Sequence, residues 1–353
     1  MKKIKICHKE NPAELFSTMG CRTANGADVN FDKVYKENID SVLENESLKY
    51  DMRSCAQKDG RGNICPVTLI LPTIAMEAKR DPKTFLKLLD KKIHEAKDML
   101  IERYNLICSQ SSSAAKFMWD NHTMCGYDDK DISTALQHGT LAIGQLGLAE
   151  TLQLLVGCNQ LEEEGMNLAK EIESLFATRC NEFKKEYSLN FGVYYTPAEN
   201  LCYTAMKKFK AKYGAIPNVS DHEYFTNSIH VPVWEDVNPF EKIDIESQLT
   251  GYSNAGCITY VELPSSTEHN IDALETLVNY AMDKDIPYFA VNIPNDHCEN
   301  CGFTGEMGET CPKCGSDKIM RLRRVTGYLS TDYRHFNIGK QHEVEDRVKH
   351  VKQ

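Results

Sequence analysis

The chain has 353 residues, 51 acidic against 41 basic side chains, 41% hydrophobic and 26% charged residues. That length can bury a large core, as one big domain or two ordinary ones. No apolar run reaches the roughly 18 to 20 residues of a membrane span, and a formal charge of -10 argues against direct nucleic-acid binding, which needs a basic surplus or stripe. The N-terminus, Met1-Lys2-Lys3-Ile4-Lys5-Ile6-Cys7-His8, is basic with no apolar segment behind it, so no signal peptide is expected. The 14 cysteines are not spaced like a small secreted scaffold; so many free thiols imply a reducing, cytoplasmic interior.

Residues 1–25 read as irregular and 30–44 as a polar amphipathic helix. Gly60-Arg61-Gly62-Asn63 is a glycine turn feeding a strand at 64–71, apolar enough to expect burial on both faces. A long helix is predicted over 81–107, with Asp81 at the N-cap and Pro82 first inside. Phe85, Leu86, Leu89, Ile93, Ala96, Leu100 and Tyr104 repeat along it at helical spacing. Further helices are predicted over 142–156 and 162–183, broken at Gly157. Thr196-Pro197-Ala198-Glu199 is expected to start another, running to about Tyr213 and stopped by Gly214.

Strands are predicted at 229–234, 257–263 and 288–293, with a helix at 269–283 between the last two. Ile271, Leu274, Leu277, Val278 and Ala281 mark one face of that helix. Strands alternating with helices imply an α/β class with a parallel sheet or barrel. Residues 298–315 read as a separate small unit, and 321–353 as a basic, polar tail around a core-like 325–329.

Cys298-x2-Cys301-x9-Cys311-x2-Cys314 is the strongest local signal. Each Cys-x2-Cys knuckle is followed by a glycine, Gly302 or Gly315, which lets the backbone turn with positive φ. Four thiolates suit a closed, structural zinc site. The ligand set alone leaves an iron–sulfur cluster or a redox pair open. Arg324-Val325-Thr326-Gly327-Tyr328-Leu329 places a glycine inside a β-branched and aromatic run, where it weakens a strand. It reads either as a bulge or turn, or as a backbone that must lack a side chain for chemical reasons. A glycine Cα–H can be abstracted to leave a radical stabilised by the flanking amides.

A valine-threonine-glycine-tyrosine run shortly after four-cysteine knuckles resembles the glycyl-radical end of the anaerobic (class III) ribonucleotide reductases. Met19-Gly20-Cys21-Arg22 resembles that family's finger loop, and Gly60-Arg61-Gly62-Asn63 its asparagine-bearing segment. His138-Gly139-Thr140-Leu141-Ala142-Ile143-Gly144-Gln145-Leu146-Gly147-Leu148-Ala149-Glu150 resembles its glycine-rich helix entry. Thr196-Pro197-Ala198-Glu199, Thr226-Asn227-Ser228-Ile229-His230-Val231-Pro232 and Ile258-Thr259-Tyr260-Val261-Glu262-Leu263 follow in family order.

The resemblance implies residue roles. Gly327 stores the radical, installed by a separate radical-SAM activase. Cys21 becomes the transient thiyl that takes the 3′ hydrogen of the ribose. Asn63 hydrogen-bonds substrate hydroxyls or an intermediate. Thr196, Pro197, Ala198 and Glu199 offer a helix start suited to a nucleotide phosphate, and Asn227 and Ser228 help shape that pocket. Cys298, Cys301, Cys311 and Cys314 hold a structural Zn2+.

The implied fold is the C-terminal half of a ten-stranded α/β barrel with a small zinc ribbon. The partial barrel would take residues 1–293, the knuckles 294–318, and the radical segment with its tail 319–353. Cys21 stands so near the start that the family's regulatory cone and first half-barrel are expected on a partner chain. Residues 30–51 look like an insertion. The expected partners are the ribonucleoside triphosphate, the activase and that N-terminal half, with a homodimer of the assembled enzyme. Another glycyl-radical enzyme, or a non-catalytic half kept as a zinc-ribbon assembly partner, is the alternative.

Overall fold

Asp81-Pro82 opens the longest helix. Asp81 stays extended at the N-cap and accepts a 2.7 Å hydrogen bond from the Thr84 amide, while Pro82 occupies a position that needs no amide donor. The computed structural model describes residues 25–30, 62–121 and 131–350. Cys21 and its loop, Gly60, Arg61, Cys7, Cys55 and the expected polar helix beyond Asn30 lie outside the described residues.

In chain order the first elements are β1 (Asn63–Ile70), α1 (Leu71–Glu77), α2 (Pro82–Cys108), α3 (Lys116–Asp120), α4 (Ser133–Leu136), β2 (Thr140–Leu146) and α5 (Leu148–Val156). Next come α6 (Glu163–Tyr187), β3 (Asn190–Tyr194), α7 (Asn200–Tyr213), α8 (Pro239–Thr250), β4 (Thr259–Glu262), α9 (Ile271–Asp283) and β5 (Phe289–Asn292). The chain then forms β6 (Asn295–Cys298), β7 (Thr304–Gly305), β8 (Ile319–Val325), β9 (Tyr328–Ser330) and α10 (Ile338–Glu345). These elements fall into two compact units. One takes Met1–Gln145, Leu168–Thr196 and Leu249–Cys257; the other takes Leu146–Asn167, Pro197–Gln248 and Ile258–Gln353.

The first unit holds a sheet of order β1-β2-β3. β2 and β3 run parallel, from Thr140 opposite Asn190 to Gly144 opposite Tyr194, and both strands are buried along their whole length. A strand covered on both faces reads as one continuous apolar run. The helix expected over 142–156 is therefore corrected. Residues 140–146 are strand, Gly147 turns the chain at φ 80, and the helix begins only at Leu148. A short apolar run carries no period that separates strand from helix.

Among the described residues β1 is an edge strand, and none of its residues is fully buried, so its expected burial on both faces does not hold. α2 buries Phe85, Leu89, Ile93, Ala96 and Leu100, each large member stabilising the fold by about 1.5–3 kcal/mol. The Arg179 guanidinium of α6 grips Asp90 of α2 at 2.6 and 3.1 Å, and Phe183 meets Phe191 of β3 edge-on at 5.5 Å.

In the second unit, β4 and β5 pair in parallel with α9 as the crossover between them. Ile243, Val261, Leu263, Leu277, Ala281 and Ile286 form the core there. The two predicted strands and the helix hold, with shorter bounds. Asn270 caps α9 by accepting from the Ala273 amide at 3.1 Å. Ile271, expected on the packed face, is 65% exposed.

The strand expected at 229–234 is not formed. Pro232 lacks an amide donor, and side chains serve the neighbouring backbone instead. Gln160 Nε2 donates to the Ile229 and His230 carbonyls at 3.1 and 2.7 Å, and Glu246 accepts from the Val231 amide at 3.1 Å. A second sheet of order β7-β6-β8-β9 is antiparallel throughout. β3 and α8 had no counterpart among the predicted elements.

Candidate functional site

The four cysteines converge. Their sulfurs all lie within 4.8 Å of one another, with Cys298 Sγ 3.6 Å from Cys314 Sγ and Cys301 Sγ 3.7 Å from Cys311 Sγ. A tetrahedral ion with bonds of about 2.3 Å sets its sulfurs about 3.8 Å apart, so the set fits a single ion. On a multi-iron cluster the four cysteines are divided between different irons, and the pairs on different irons stand further apart. The two knuckles share one geometry. Gly302 N donates to Cys298 O at 2.9 Å and Gly315 N to Cys311 O at 2.8 Å, and both glycines have φ 72. The Asn300 amide and then the Ser316 backbone N–H hold the Cys314 thiol down at about 6, toward the thiolate a metal requires.

β8 runs from the knuckles to Thr326-Gly327, and β9 returns with Tyr328 opposite Val325. Gly327 is exposed at the tip of this turn, and Thr326 is buried beside it at φ 58. Thr326 Oγ1 accepts from Lys340 Nζ at 3.1 Å and pairs with Asn227 Nδ2 at 3.3 Å. The Tyr260 hydroxyl donates to Thr326 O at 3.3 Å.

The structure places the other expected residues as follows. Asn63 is half-buried on β1; its Nδ2 donates to Ala255 O at 2.9 Å, and its buried Oδ1 has no partner among the described residues. Thr196 Oγ1 shares a 2.9 Å hydrogen bond with Thr68 Oγ1. Thr196-Pro197-Ala198-Glu199 is the loop before α7, which begins at Asn200 and ends at Gly214, φ 78, one turn later than the expected start. Asn227 Oδ1 accepts from the Ala198 amide at 2.8 Å, so this residue joins that loop to the Gly327 turn. Ser228 is fully buried with φ 45. Cys21 lies outside the described residues.

Sequence reasoning missed a set of buried charges around the turn. Lys340 is fully buried and paired with Glu343, which also meets Arg347 at 3.5 Å. Arg347 donates to the Arg324 carbonyl at 2.8 Å and lies 3.3 Å from Glu262. Burial opposes the charge on Glu343, but Lys340 and Arg347 outweigh it and hold the carboxyl below its usual range. Glu246 is held well below its usual range in the same way, by Lys242 and His230 against burial. A cavity of about 40 Å³ is lined by Asn227, His230, Tyr260, Glu343 and Arg347 among others. The three- and four-residue spacing of Lys340, Glu343 and Arg347 in the sequence was the only signal, and it reads equally as a solvated stripe.

An α/β chain whose C-terminal sheet joins a metal-competent four-cysteine unit to an exposed glycine turn narrows the class considerably. The family model described as anaerobic ribonucleoside-triphosphate reductase matches residues 2–350, and the chain belongs to that family. It is 38% identical over 309 residues to the anaerobic ribonucleoside-triphosphate reductase of Escherichia coli (strain K12), covering 83% of this chain and 43% of that one. It is 33% identical over 309 residues to that of Enterobacteria phage T4, covering 83% and 49%. The chain thus spans less than half the length of these curated relatives.

Among solved structures, an anaerobic ribonucleotide reductase superposes with a TM-score of 0.69 at 21% identity, over 91% of this chain and 50% of that one. The Thermotoga maritima anaerobic ribonucleotide reductase with MES in its active site gives 0.64 at 22% identity, over 77% and 44%. At these identities the likeness is one of fold. Among the described residues, no helix is long and apolar enough to cross a membrane.

Proposed function

We propose that this chain is the C-terminal half of a glycyl-radical enzyme that reduces ribonucleoside triphosphates to deoxyribonucleoside triphosphates in the absence of oxygen. The observation that carries the reading is the Thr326-Gly327 turn: an exposed glycine backbone at the end of a strand that begins at the cysteine knuckles, gripped through its neighbour by buried side chains. Gly327 holds the radical at Cα. It takes the hydrogen of the Cys21 thiol, and the Cys21 thiyl takes the 3′ hydrogen of the ribose. The 2′ hydroxyl then leaves as water, an external two-electron reductant completes the reduction, and the 3′ hydrogen returns from Cys21. Asn63 offers its unpartnered Oδ1 to a substrate hydroxyl. Thr196, Pro197, Ala198 and Glu199 receive the phosphates, with Asn227 and Ser228 shaping that loop from behind.

Cys298, Cys301, Cys311 and Cys314 hold one Zn2+, which stabilises the fold of residues 294–318 as a zinc ribbon and takes no part in the reaction. Residues 1–293 supply half of a ten-stranded barrel, and 319–353 the radical segment. The remaining half barrel comes from an N-terminal chain, and the assembled enzyme dimerises. A radical-SAM activase installs the radical, and the setting is the reducing cytoplasm.

The test is direct. The chain, combined with an N-terminal half and the activase under strict anaerobiosis, is expected to show an EPR doublet from the single α-hydrogen left on Gly327. Admitting air is expected to cleave the backbone there and release a fragment beginning at Tyr328, seen by mass spectrometry. Gly327→Ala is expected to abolish both signals. If the activated complex shows neither doublet nor cleavage while an intact relative in the same assay shows both, the proposal fails.

A further inference from the structure

Thr326 carries a backbone conformation that its own side chain disfavours. Its φ of 58 is left-handed, where a β-branched residue is crowded and glycine or asparagine fits more easily. Such a conformation persists only when its surroundings over-determine it, and such sites cluster where function needs them. Here four side chains converge on the one residue. Lys340 Nζ at 3.1 Å and Asn227 Nδ2 at 3.3 Å address Oγ1, filling its two lone pairs. The Tyr260 hydroxyl at 3.3 Å and Arg324 Nε at 3.5 Å address the carbonyl oxygen.

The anchors are themselves fixed. Asn227 is tied to the Ala198 amide at 2.8 Å, and Lys340 is buried against Glu343. Gly339, next to Lys340, packs so closely on α7 that a Cβ there would lie 2.7 Å from the Tyr203 Cβ, so α10 cannot lift without losing that contact. A lysine ammonium is costly to bury; this one is paired with Glu343 and also donates to a threonine hydroxyl one residue from the exposed glycine.

We infer that Thr326 is a positioning residue for Gly327, with Lys340 and Asn227 as its anchors: the gripped hydroxyl holds a strained backbone and so orients the Thr326–Gly327 peptide. The inference rests on the reading of Gly327 as the radical residue. A radical at a glycine Cα is stabilised by delocalisation into the two flanking amides, which requires their planes to align with the half-filled orbital. The Thr326 carbonyl belongs to one of those amides, and Tyr260 and Arg324 hold that oxygen.

A purely structural role makes the opposite prediction for one variant. Thr326→Gly relieves the strain but takes the acceptor from Lys340 and Asn227, so a merely structural turn loses stability and keeps its turnover per spin, whereas a positioning residue loses turnover per spin. The chain, its N-terminal half and the activase are compared as wild type, T326S, T326G and K340M. Spins are counted by EPR, and deoxynucleotide formation is expressed per spin. T326S keeps the hydroxyl and is expected to match wild type. T326G and K340M are each expected to lower turnover per spin about tenfold, equivalent to about 1.4 kcal/mol, and to change the α-hydrogen splitting of the doublet. Combined, they are expected to lose no more than either alone.

T326G with wild-type splitting and wild-type turnover per spin would overturn the inference while leaving the radical reading intact. A wild type that gives no doublet, where an intact relative does, would instead sink the radical reading and this inference with it. Should K340M melt early or lose metal, T326G still decides the matter, because it adds neither bulk nor strain.

Discussion

At Gly144 the chain has no room for even a methyl group. A Cβ there would lie 1.9 Å from Thr196 Oγ1 and 2.9 Å from the Tyr194 carbonyl, so the central strand is bare where the candidate phosphate loop begins. Gly144→Ala is expected to push Thr196 away from Thr68 and to destabilise the chain by about 1–3 kcal/mol, as overpacking does. If Thr196 binds the nucleotide, KM in the reconstituted enzyme is expected to rise more than kcat falls. A melting curve and a nucleotide titration check the two halves of this prediction. The same scale shows what a motif conceals. Asn63 was legible as a candidate substrate ligand, but the lack of a partner for its Oδ1 among the described residues was not, because that depends on Ala255 occupying the amide nitrogen from far along the chain. The contact between Thr326 and Lys340 was not legible for the same reason: a threonine and a lysine acquire meaning only from what surrounds them.

Elements carry two further predictions. Glu173 of α6 is fully buried against β2, where Gln145 Nε2 donates to it at 2.7 Å. Burial pushes its carboxyl up to about 8, and hydrogen bonds from Tyr195 and Gln145 offset only part of this. An unfolded glutamate titrates near about 4.3, so between there and about 8 the native chain keeps a proton that the unfolded chain has lost. Its contribution to stability is therefore complete below that window and falls as pH rises through it. Glu173→Gln, which stays neutral, is expected to flatten the decline in melting temperature between about pH 5 and pH 8. An equal decline in the variant would assign the pH dependence elsewhere.

The antiparallel sheet of β6, β7 and β8 supplies the second. Its cysteine knuckles are polar loops around a small cluster of Cys298, Met307 and Cys311, so metal binding energy there is folding energy. Elemental analysis is expected to find about one zinc per chain, as four thiolates in this geometry imply. Cys298→Ser or Cys311→Ser is expected to lower the melting temperature and expose residues 294–330 to protease. Carefully reduced protein without metal, yet with that segment still protected, would refute the zinc assignment.

At the scale of the molecule, the chain spans 43% of one curated relative's length and 49% of another's. Among the described residues, β1 ends the first unit's sheet as a half-exposed edge with Cys65 at the surface. Exposed edges are ordinarily covered, twisted away or charged. The chain is expected to form nucleotide-reducing enzyme only with an N-terminal half, the two coeluting on size exclusion. Cys65 is expected to alkylate in the chain alone and to be protected in the complex. Full reduction by the chain alone, with the activase present, would remove the need for a partner.

Local chemistry was enough to determine some of this protein. Asp81-Pro82 opens a helix, Gly214 stops one, and four cysteines in two glycine-ended knuckles gather round one point, because capping groups, left-handed glycines and thiolates act within a few residues of themselves. The ordered motifs of the anaerobic reductases were legible too, as short strings whose residue types the chemistry requires. Long-range contacts decided the rest. Residues 140–146 became strand because a neighbour strand covers them on each side, and 229–234 stayed irregular because Gln160 and Glu246 answer its backbone. Thr326 took a left-handed backbone because Lys340 and Asn227 meet there. Such partners lie 14 to 99 residues away in sequence, and only the folded chain brings them within hydrogen-bonding distance.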